Sequence, residues 1–173
     1  MKHCFIVSLL LIWVVLFVGC AGGIPADVES DLEFWICDEV TDFDFSAYQP
    51  RFGLMGGREY YGTGYVPEIN EDGMQIDPKY AVIYTVTSYP DYASRKQHIT
   101  RIAVTDPTVH VFGLTLQSTR DEITAAMQNY GFARKEYDNA VGLTFVRGKI
   151  TVHFTDTCIT VRAEVTNFWG IQF

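Results

Sequence analysis

Residues 149–165 read Lys-Ile-Thr-Val-His-Phe-Thr-Asp-Thr-Cys-Ile-Thr-Val-Arg-Ala-Glu-Val. Apolar and polar residues alternate on both sides of Thr155-Asp156-Thr157, which predicts two strands, 149–156 and 158–165, each with one packed face and one wet face. The connection between them is short enough for an antiparallel pair. On this alternation, Cys158 falls on the polar side of its strand.

Further strands are predicted on the N-terminal side of this pair. Two short ones, 132–138 and 142–147, come directly before it. Residues 80–88 and 98–105 are rich in β-branched and aromatic residues and are separated by turn-forming residues, so we expect a long hairpin. A glycine-bounded strand is predicted over 58–66. The sheet is therefore expected to be mostly antiparallel.

One amphipathic helix is predicted over residues 119–130. Thr119 and Glu122 have the spacing of a capping box, and Gly131 is typical of a helix end. Apolar side chains recur at helical spacing on one face, at Ile123, Ala126, Met127 and Tyr130. Because a lone amphipathic helix must bury this stripe, we predict an α+β fold in which the helix packs on one face of the sheet.

The first twenty residues have the pattern of a lipoprotein export signal. Lys2 precedes a long apolar run, which ends in Leu16-Phe17-Val18-Gly19-Cys20. This ending resembles the lipobox of bacterial lipoproteins, in which the chain is cut before the cysteine and the cysteine carries the lipid. Phe17 stands where the lipobox usually has Leu. The resemblance implies a signal peptide over residues 1–19 and lipid attachment at Cys20.

Two other interpretations of the N-terminus are an ordinary cleaved secretory signal and an uncleaved transmembrane helix. The apolar run is shorter than the roughly 20 residues that a membrane-spanning helix needs. We therefore expect an exported protein that is lipid-anchored at Cys20 to the cell membrane and faces outside the cytoplasm.

The predicted mature chain is long enough for one domain. Removal of residues 1–19 leaves 154 residues. Residues 20–31 lack apolar periodicity and are interpreted as a lipidated tether, of which about ten residues extend no further than about 35 Å. Residues 32–173 are then a single domain, and the apolar segment 32–37 is expected to enter its core.

Charge and cysteine content limit the function classes. Without Lys2 the mature chain has 12 basic and 21 acidic residues, a net charge of −9, which disfavours nucleic-acid binding. Cys4 leaves with the signal peptide and Cys20 carries lipid, so Cys37 and Cys158 remain. Outside the cytoplasm such a pair is a candidate disulfide; the alternative is two separately buried thiols.

Familiar catalytic and metal-binding patterns do not occur in the sequence. The four carboxylates between Asp38 and Asp44 lack the spacing of an EF-hand loop and are interpreted as a solvated acidic edge. The histidines of the mature chain, His98, His110 and His153, lack zinc-site spacing. We predict no catalytic residue, no metal site and no cofactor. Candidate binding residues come instead from a glycine- and tyrosine-rich segment and are Tyr60, Tyr61 and Tyr65.

Residues 113–123, Gly-Leu-Thr-Leu-Gln-Ser-Thr-Arg-Asp-Glu-Ile, precede the predicted helix and meander. They resemble the module shared by β-lactamase-inhibitor-like proteins and small outer-membrane-assembly lipoproteins. Gln117 replaces a second Gly of that pattern, and Gly131 comes about one turn late. The resemblance covers residues 106–165 and implies an interaction module. Its matching positions are Gly113, Leu114, Leu116, Thr119, Glu122, Ile123 and Met127.

The whole chain also resembles uncharacterised lipoproteins of anaerobic Gram-positive bacteria. We therefore expect a non-enzymatic surface lipoprotein that binds a protein or a cell-envelope component through its sheet face or its glycine- and tyrosine-rich segment. One alternative is a carbohydrate-active or other hydrolytic envelope enzyme, whose carboxylates would converge from distant parts of the sequence. The other is a structural envelope protein without a dedicated ligand.

Overall fold

The computed structural model describes most of the predicted domain, namely Pro25 and residues 27–52, 57–62, 68–69, 75–76, 84–91, 95–136 and 141–164. The predicted signal peptide 1–19, the lipid site Cys20 and the candidate binding residue Tyr65 lie outside these residues. Within the described part of the chain, no helix is long and apolar enough to span a membrane.

The described residues are dominated by β-structure. The strands are β1 (Gln49–Phe52), β2 (Arg58–Tyr61), β3 (Glu68–Ile69), β4 (Gln75–Ile76), β5 (Tyr84–Asp91), β6 (Lys96–Val104), β7 (Ala133–Lys135), β8 (Leu143–Arg147), β9 (Ile150–Phe154) and β10 (Ile159–Ala163). The α-helix, α1, spans Arg120–Asn129, and a short 3-10 turn spans Val40–Asp42.

Eight strands form one antiparallel sheet in the order β1-β2-β5-β6-β10-β9-β8-β7, and β3 pairs with β4 separately. The predicted hairpin is confirmed as β5 and β6, and the predicted meander is confirmed as β7 to β10. Among the described residues, the predicted α+β class with a mostly antiparallel sheet and one helix is therefore confirmed, although the sheet accounts for most of their regular structure.

Strand β1 carried no prediction from the sequence. It contains Pro50, which removes one ladder hydrogen bond and disfavours a central strand. Because β1 lies at the edge of the sheet and pairs only with β2 in the described structure, this proline is accommodated there.

A β-bulge lies at the centre of the long hairpin. Thr87 lies opposite Arg101 and Ser88 lies opposite Ile99, so Thr100 is the extra residue. The Thr100 hydroxyl donates to the Thr87 carbonyl oxygen at 3.0 Å. The extra residue changes the alternation along β6, so that Ile99 and Ile102, three residues apart, are both fully buried.

The centre of the core is an apolar row that crosses four adjacent strands. Its members oppose one another directly and have no exposed surface. They are Ile102, Val161, Val152 and Phe145. Phe34 and Ile36 belong to the same buried cluster, so the expectation that segment 32–37 enters the core is confirmed.

The helix has the predicted ends. The Thr119 hydroxyl accepts the Glu122 backbone N–H at 3.3 Å, and the Glu122 carboxylate accepts the Thr119 backbone N–H at 2.7 Å. This second bond is the main cause of a lowered Glu122 pKa. At the other end Gly131 has a φ of 76° and its N–H donates to Gln128, as in a glycine-terminated helix. Arg147 donates to the Tyr130 carbonyl oxygen at 2.7 Å.

Residues Glu29–Leu32, which we name the strap, are held against the loop at residues 110–113. The Gly113 N–H donates to the Glu29 carbonyl oxygen at 2.9 Å, and the Asp31 N–H donates to that of His110 at 3.0 Å. The Asp31 carboxylate accepts the His110 backbone N–H and contacts its ring nitrogen, both at 2.8 Å. Part of the segment that the sequence suggests as a tether is therefore docked on the domain.

The capping box predicts a measurable loss on substitution. Thr119→Ala should lower the free energy of unfolding by about 1 kcal/mol, because the first turn of α1 loses its acceptor. Thr124→Ala is the matched control, since the Thr124 hydroxyl bonds only to the Arg120 carbonyl within the helix and its loss should not destabilise. Urea unfolding of both variants measures the difference, and equal losses would contradict the role of the cap.

The strap predicts a dependence of stability on pH. The His110 backbone N–H is the main cause of a lowered Asp31 pKa in the folded chain. Asp31 therefore stabilises the fold above its ordinary pKa of about 3.9, and this contribution is lost as the pH falls through the lower folded-state pKa. Asp31→Asn should have a lower free energy of unfolding than the parent at pH 7. This difference should shrink as the pH falls through the folded-state pKa of Asp31.

Asp156→Asn, at an exposed turn residue, is the control for the strap. Urea unfolding at a series of pH values compares the two variants with the parent. If the difference in free energy of unfolding between Asp31→Asn and the parent stays constant as the pH falls below the ordinary pKa of Asp, the assigned role of Asp31 is contradicted.

Candidate functional site on the polar face of the sheet

The candidate binding tyrosines do not share one surface. Tyr60 is only 8% exposed and its ring stacks on Phe45 at a centroid distance of 4.8 Å. Tyr61 points to the other face, because successive strand residues alternate. Its hydroxyl donates to Glu59 at 2.9 Å, and the Arg51 guanidinium lies 4.7 Å from its ring centroid. The proposal of Tyr60 as a binding residue is corrected: it is a core residue.

Cys37 and Cys158 are not joined by a disulfide. The Cys37 N–H donates to Ile99, whereas Cys158 directly precedes Ile159, which pairs with Val104. Positions 99 and 104 are about 17 Å apart along a strand, well beyond the roughly 7 Å that a disulfide can bridge between Cα atoms. The structure therefore corresponds to the alternative of two separate thiols.

The acidic segment 38–44 is used for local structure. Asp38 accepts the Trp35 backbone N–H at 2.6 Å, and Asp44 accepts that of Ser46 at 2.8 Å. Lys96 contacts Glu39; this hydrogen bond is the main cause of a lowered Glu39 pKa and a raised Lys96 pKa. Among the described residues, no cluster of three His, Cys, Asp or Glu side chains could hold a metal ion.

The face of the sheet opposite the apolar row is built from two rows of directly opposed residues, which together we name the polar face. The arginine row runs Arg51, Glu59, Thr87, Arg101, Arg162, Thr151, Val146 and Ala133. The threonine row runs Gln49, Tyr61, Thr85, Ala103, Thr160, His153, Thr144 and Lys135.

Two like charges face each other at the centre of the polar face. Arg101 on β6 and Arg162 on β10 are directly opposed and both are exposed. Neither guanidinium forms an ion pair with any residue that the structure describes. Like charges at directly opposed positions destabilise a sheet by roughly 0.2–1 kcal/mol. The chain carries this arrangement despite a net charge of −8.

Small residues surround the arginine pair. Thr87 and Ala103 are only 6% and 7% exposed, and Thr160 is half-buried. The Thr144 hydroxyl and the His153 ring nitrogen lie 2.8 Å apart, so these two polar groups are paired with each other. The two arginines therefore stand above a low surface of small side chains.

Sequence reasoning missed the arginine pair. Strand alternation places Arg162 on a wet face, but the residue opposite it depends on the long-range register between β6 and β10. The Thr100 bulge adds a further shift that the sequence pattern does not reveal. The sequence near Arg162 therefore indicates an exposed arginine on a strand, but it does not indicate that a second arginine lies opposite it.

The edges of the sheet are poorly suited to adding a strand from a partner. Pro50 interrupts β1, and β7 has only three residues, of which Arg134 and Lys135 are exposed and charged. Prolines, charges and short length protect sheet edges against pairing. Any broad contact with the sheet is therefore expected on its face.

A shallow open depression lies beside the end of α1. It is lined by Pro25, Asp27, Asn129, Tyr130, Gly131 and Arg147. Asp27 is the one carboxylate among these lining residues, whereas glycoside hydrolysis ordinarily uses two carboxyl groups. The depression thus lacks the pair that would favour the hydrolase alternative.

In comparisons with known proteins, the chain matches no family model, no curated protein and no solved structure. The likeness of residues 106–165 to the β-lactamase-inhibitor-like module therefore stays a prediction from sequence.

The opposed arginines predict that removal of one charge stabilises the fold. Arg162→Thr should raise the free energy of unfolding by a few tenths to about 1 kcal/mol, because it removes the repulsion and adds a β-branched side chain. The gain should shrink as salt is added. Lys149→Thr is the control, since Lys149 is an exposed cation in the turn between β8 and β9 and opposes no cation on a neighbouring strand. A lower free energy of unfolding for Arg162→Thr would contradict the claim that Arg101 and Arg162 repel each other without a compensating charge.

Proposed function

We propose that this protein is an extracytoplasmic lipoprotein, anchored through Cys20, that binds a protein or cell-envelope component with its polar face. It acts as a binding module rather than an enzyme. The observation that carries the proposal is the exposed Arg101–Arg162 pair, which opposes two cations without a counter-charge among the described residues.

The energetic argument favours binding over a purely structural role. A cation that serves the fold is expected to have a partner, as Lys96 has in Glu39 and Arg147 has in the Tyr130 carbonyl. Arg101 and Arg162 instead repel each other. A binding surface explains this cost, since a ligand of opposite charge would compensate both side chains at once.

We also infer that α1 packs on the face that contains the apolar row. Ile123 and Met127 belong to the same buried cluster as Ile102 and Val152. This arrangement is what the resemblance to the β-lactamase-inhibitor-like module implies. It leaves the polar face as the broad surface for a partner.

The strap would hold the domain near the membrane. If Cys20 carries lipid, eight residue steps separate it from Val28, which packs against the core just before the strap. Eight extended residues span at most about 28 Å. The domain would therefore act on molecules at or close to the membrane surface.

The anchor is tested by Cys20→Ser. This variant should lose incorporation of radiolabelled palmitate and should appear in the soluble fraction, because the proposed lipid is its only attachment. Cys158→Ser is the control and should remain labelled and membrane-bound. Unchanged labelling or membrane retention of Cys20→Ser would contradict lipid anchoring at this residue.

The binding role is tested by photo-crosslinking in cells. A photoreactive amino acid replaces Thr160, on the polar face, or Gln128, which is exposed on α1. We expect a reproducible adduct from position 160 and none from position 128. Absence of an adduct at position 160 would overturn the binding role, and glycan hydrolysis by the purified protein would then favour the enzyme alternative.

A further inference from the structure

We propose that Arg101 and Arg162 bind carboxylate side chains of an acidic segment in a protein partner. This inference rests on the proposed function and assigns the chemistry of its ligand. The guanidinium groups extend from adjacent strands, whose backbones lie about 4.8 Å apart. Each can hold a carboxylate through two parallel hydrogen bonds.

Threonines continue the arginine row on both sides of the pair. The arginine row places Thr87 beside Arg101 and Thr151 beside Arg162. Thr87 to Thr151 covers three strand spacings, about 14 Å, which is the length of about four residues of an extended peptide. The hydroxyl of the half-buried Thr151 can both donate to and accept from an amide group of a peptide that crosses the strands, whereas Thr87 is buried and offers only a low, small side chain.

The neighbouring threonine row allows close approach to this site. Thr85, Ala103 and Thr160 oppose one another there, and none has a long side chain. A peptide backbone can therefore lie low on the sheet while its carboxylates reach the guanidinium groups.

The charge distribution favours a short acidic segment over other occupants. A second copy of this chain on the same face would bring further guanidinium groups against Arg101 and Arg162, which repulsion opposes. A long phosphate polymer or an anionic lipid surface would meet the field of a chain with net charge −8. A few carboxylates over the arginine pair are attracted by the two nearby guanidinium groups. Because they carry few charges, the net negative charge of the chain repels them less than it repels a long polymer or a lipid surface.

The experiment uses the full-length chain in cells, with the photoreactive residue at position 160. Adducts are compared between the parent, the double variant Arg101→Gln with Arg162→Gln, and the control Arg120→Gln. Arg120 is an exposed arginine at the start of α1, so it loses the same charge away from the site. The double variant should lower adduct yield about tenfold or more, and the control should leave it unchanged.

Peptide mapping of the adduct then tests the ligand chemistry. We expect the crosslinked peptide to contain at least two Asp or Glu residues. Lysine at these residues should abolish the adduct with the parent chain. The double variant Arg101→Glu with Arg162→Glu should restore it to within about threefold, because reversed charges at a direct contact compensate each other.

Competition on isolated membranes distinguishes the anion source. Acetylated tetraglutamate should reduce adduct yield, whereas inorganic phosphate at equal ionic strength should act no more strongly than chloride. Adducts to a glycan or a lipid, an adduct that tolerates loss of both arginines, or stronger competition by phosphate would overturn the inference while retaining a binding module. Absence of any adduct at position 160 would overturn the proposed function itself.

Discussion

The apolar row Ile102, Val161, Val152 and Phe145 fixes the register of four adjacent strands, and the rest of the structure depends on that register. Burial of each such side chain contributes roughly 1.5–3 kcal/mol relative to exposure, and a slip of one residue would turn the whole row toward water. Because side chains alternate along a strand, the register that aligns Val161 with Ile102 also places Arg162 opposite Arg101 on the other face.

The two faces of the sheet thus differ in how far folding explains the residues on them. The core face is fully explained by burial, and its aromatic neighbours Phe34, Phe45 and Phe112 extend the same packing. The polar face contains an arrangement that folding alone does not favour. This contrast is the physical reason for proposing a function for the polar face, and the protected edges β1 and β7 leave that face as the broad surface proposed for binding.

Local features of the sequence predicted much of the fold. The helix, its capping box and the β5–β6 hairpin follow from spacing, capping residues and turn residues that lie close together in the chain. Strand β1 was missed because Pro50 masks an edge strand. The arginine pair could not be predicted, since its members are 61 residues apart in the sequence and meet only through long-range register. The sequence also does not show that the Tyr60 ring stacks on Phe45, so it predicts a surface position for a residue that lies in the core.

A double-mutant cycle on Arg101→Thr and Arg162→Thr tests the central claim most directly. The free energy of unfolding is measured for the parent, both single variants and the double variant at low salt. If the two cations face each other uncompensated, each single variant is stabilised and the double variant gains less than the sum of the two gains. The shortfall should be a few tenths to about 1 kcal/mol. Additive changes, or stabilisation of the parent by the pair, would contradict the register and the function inferred from it.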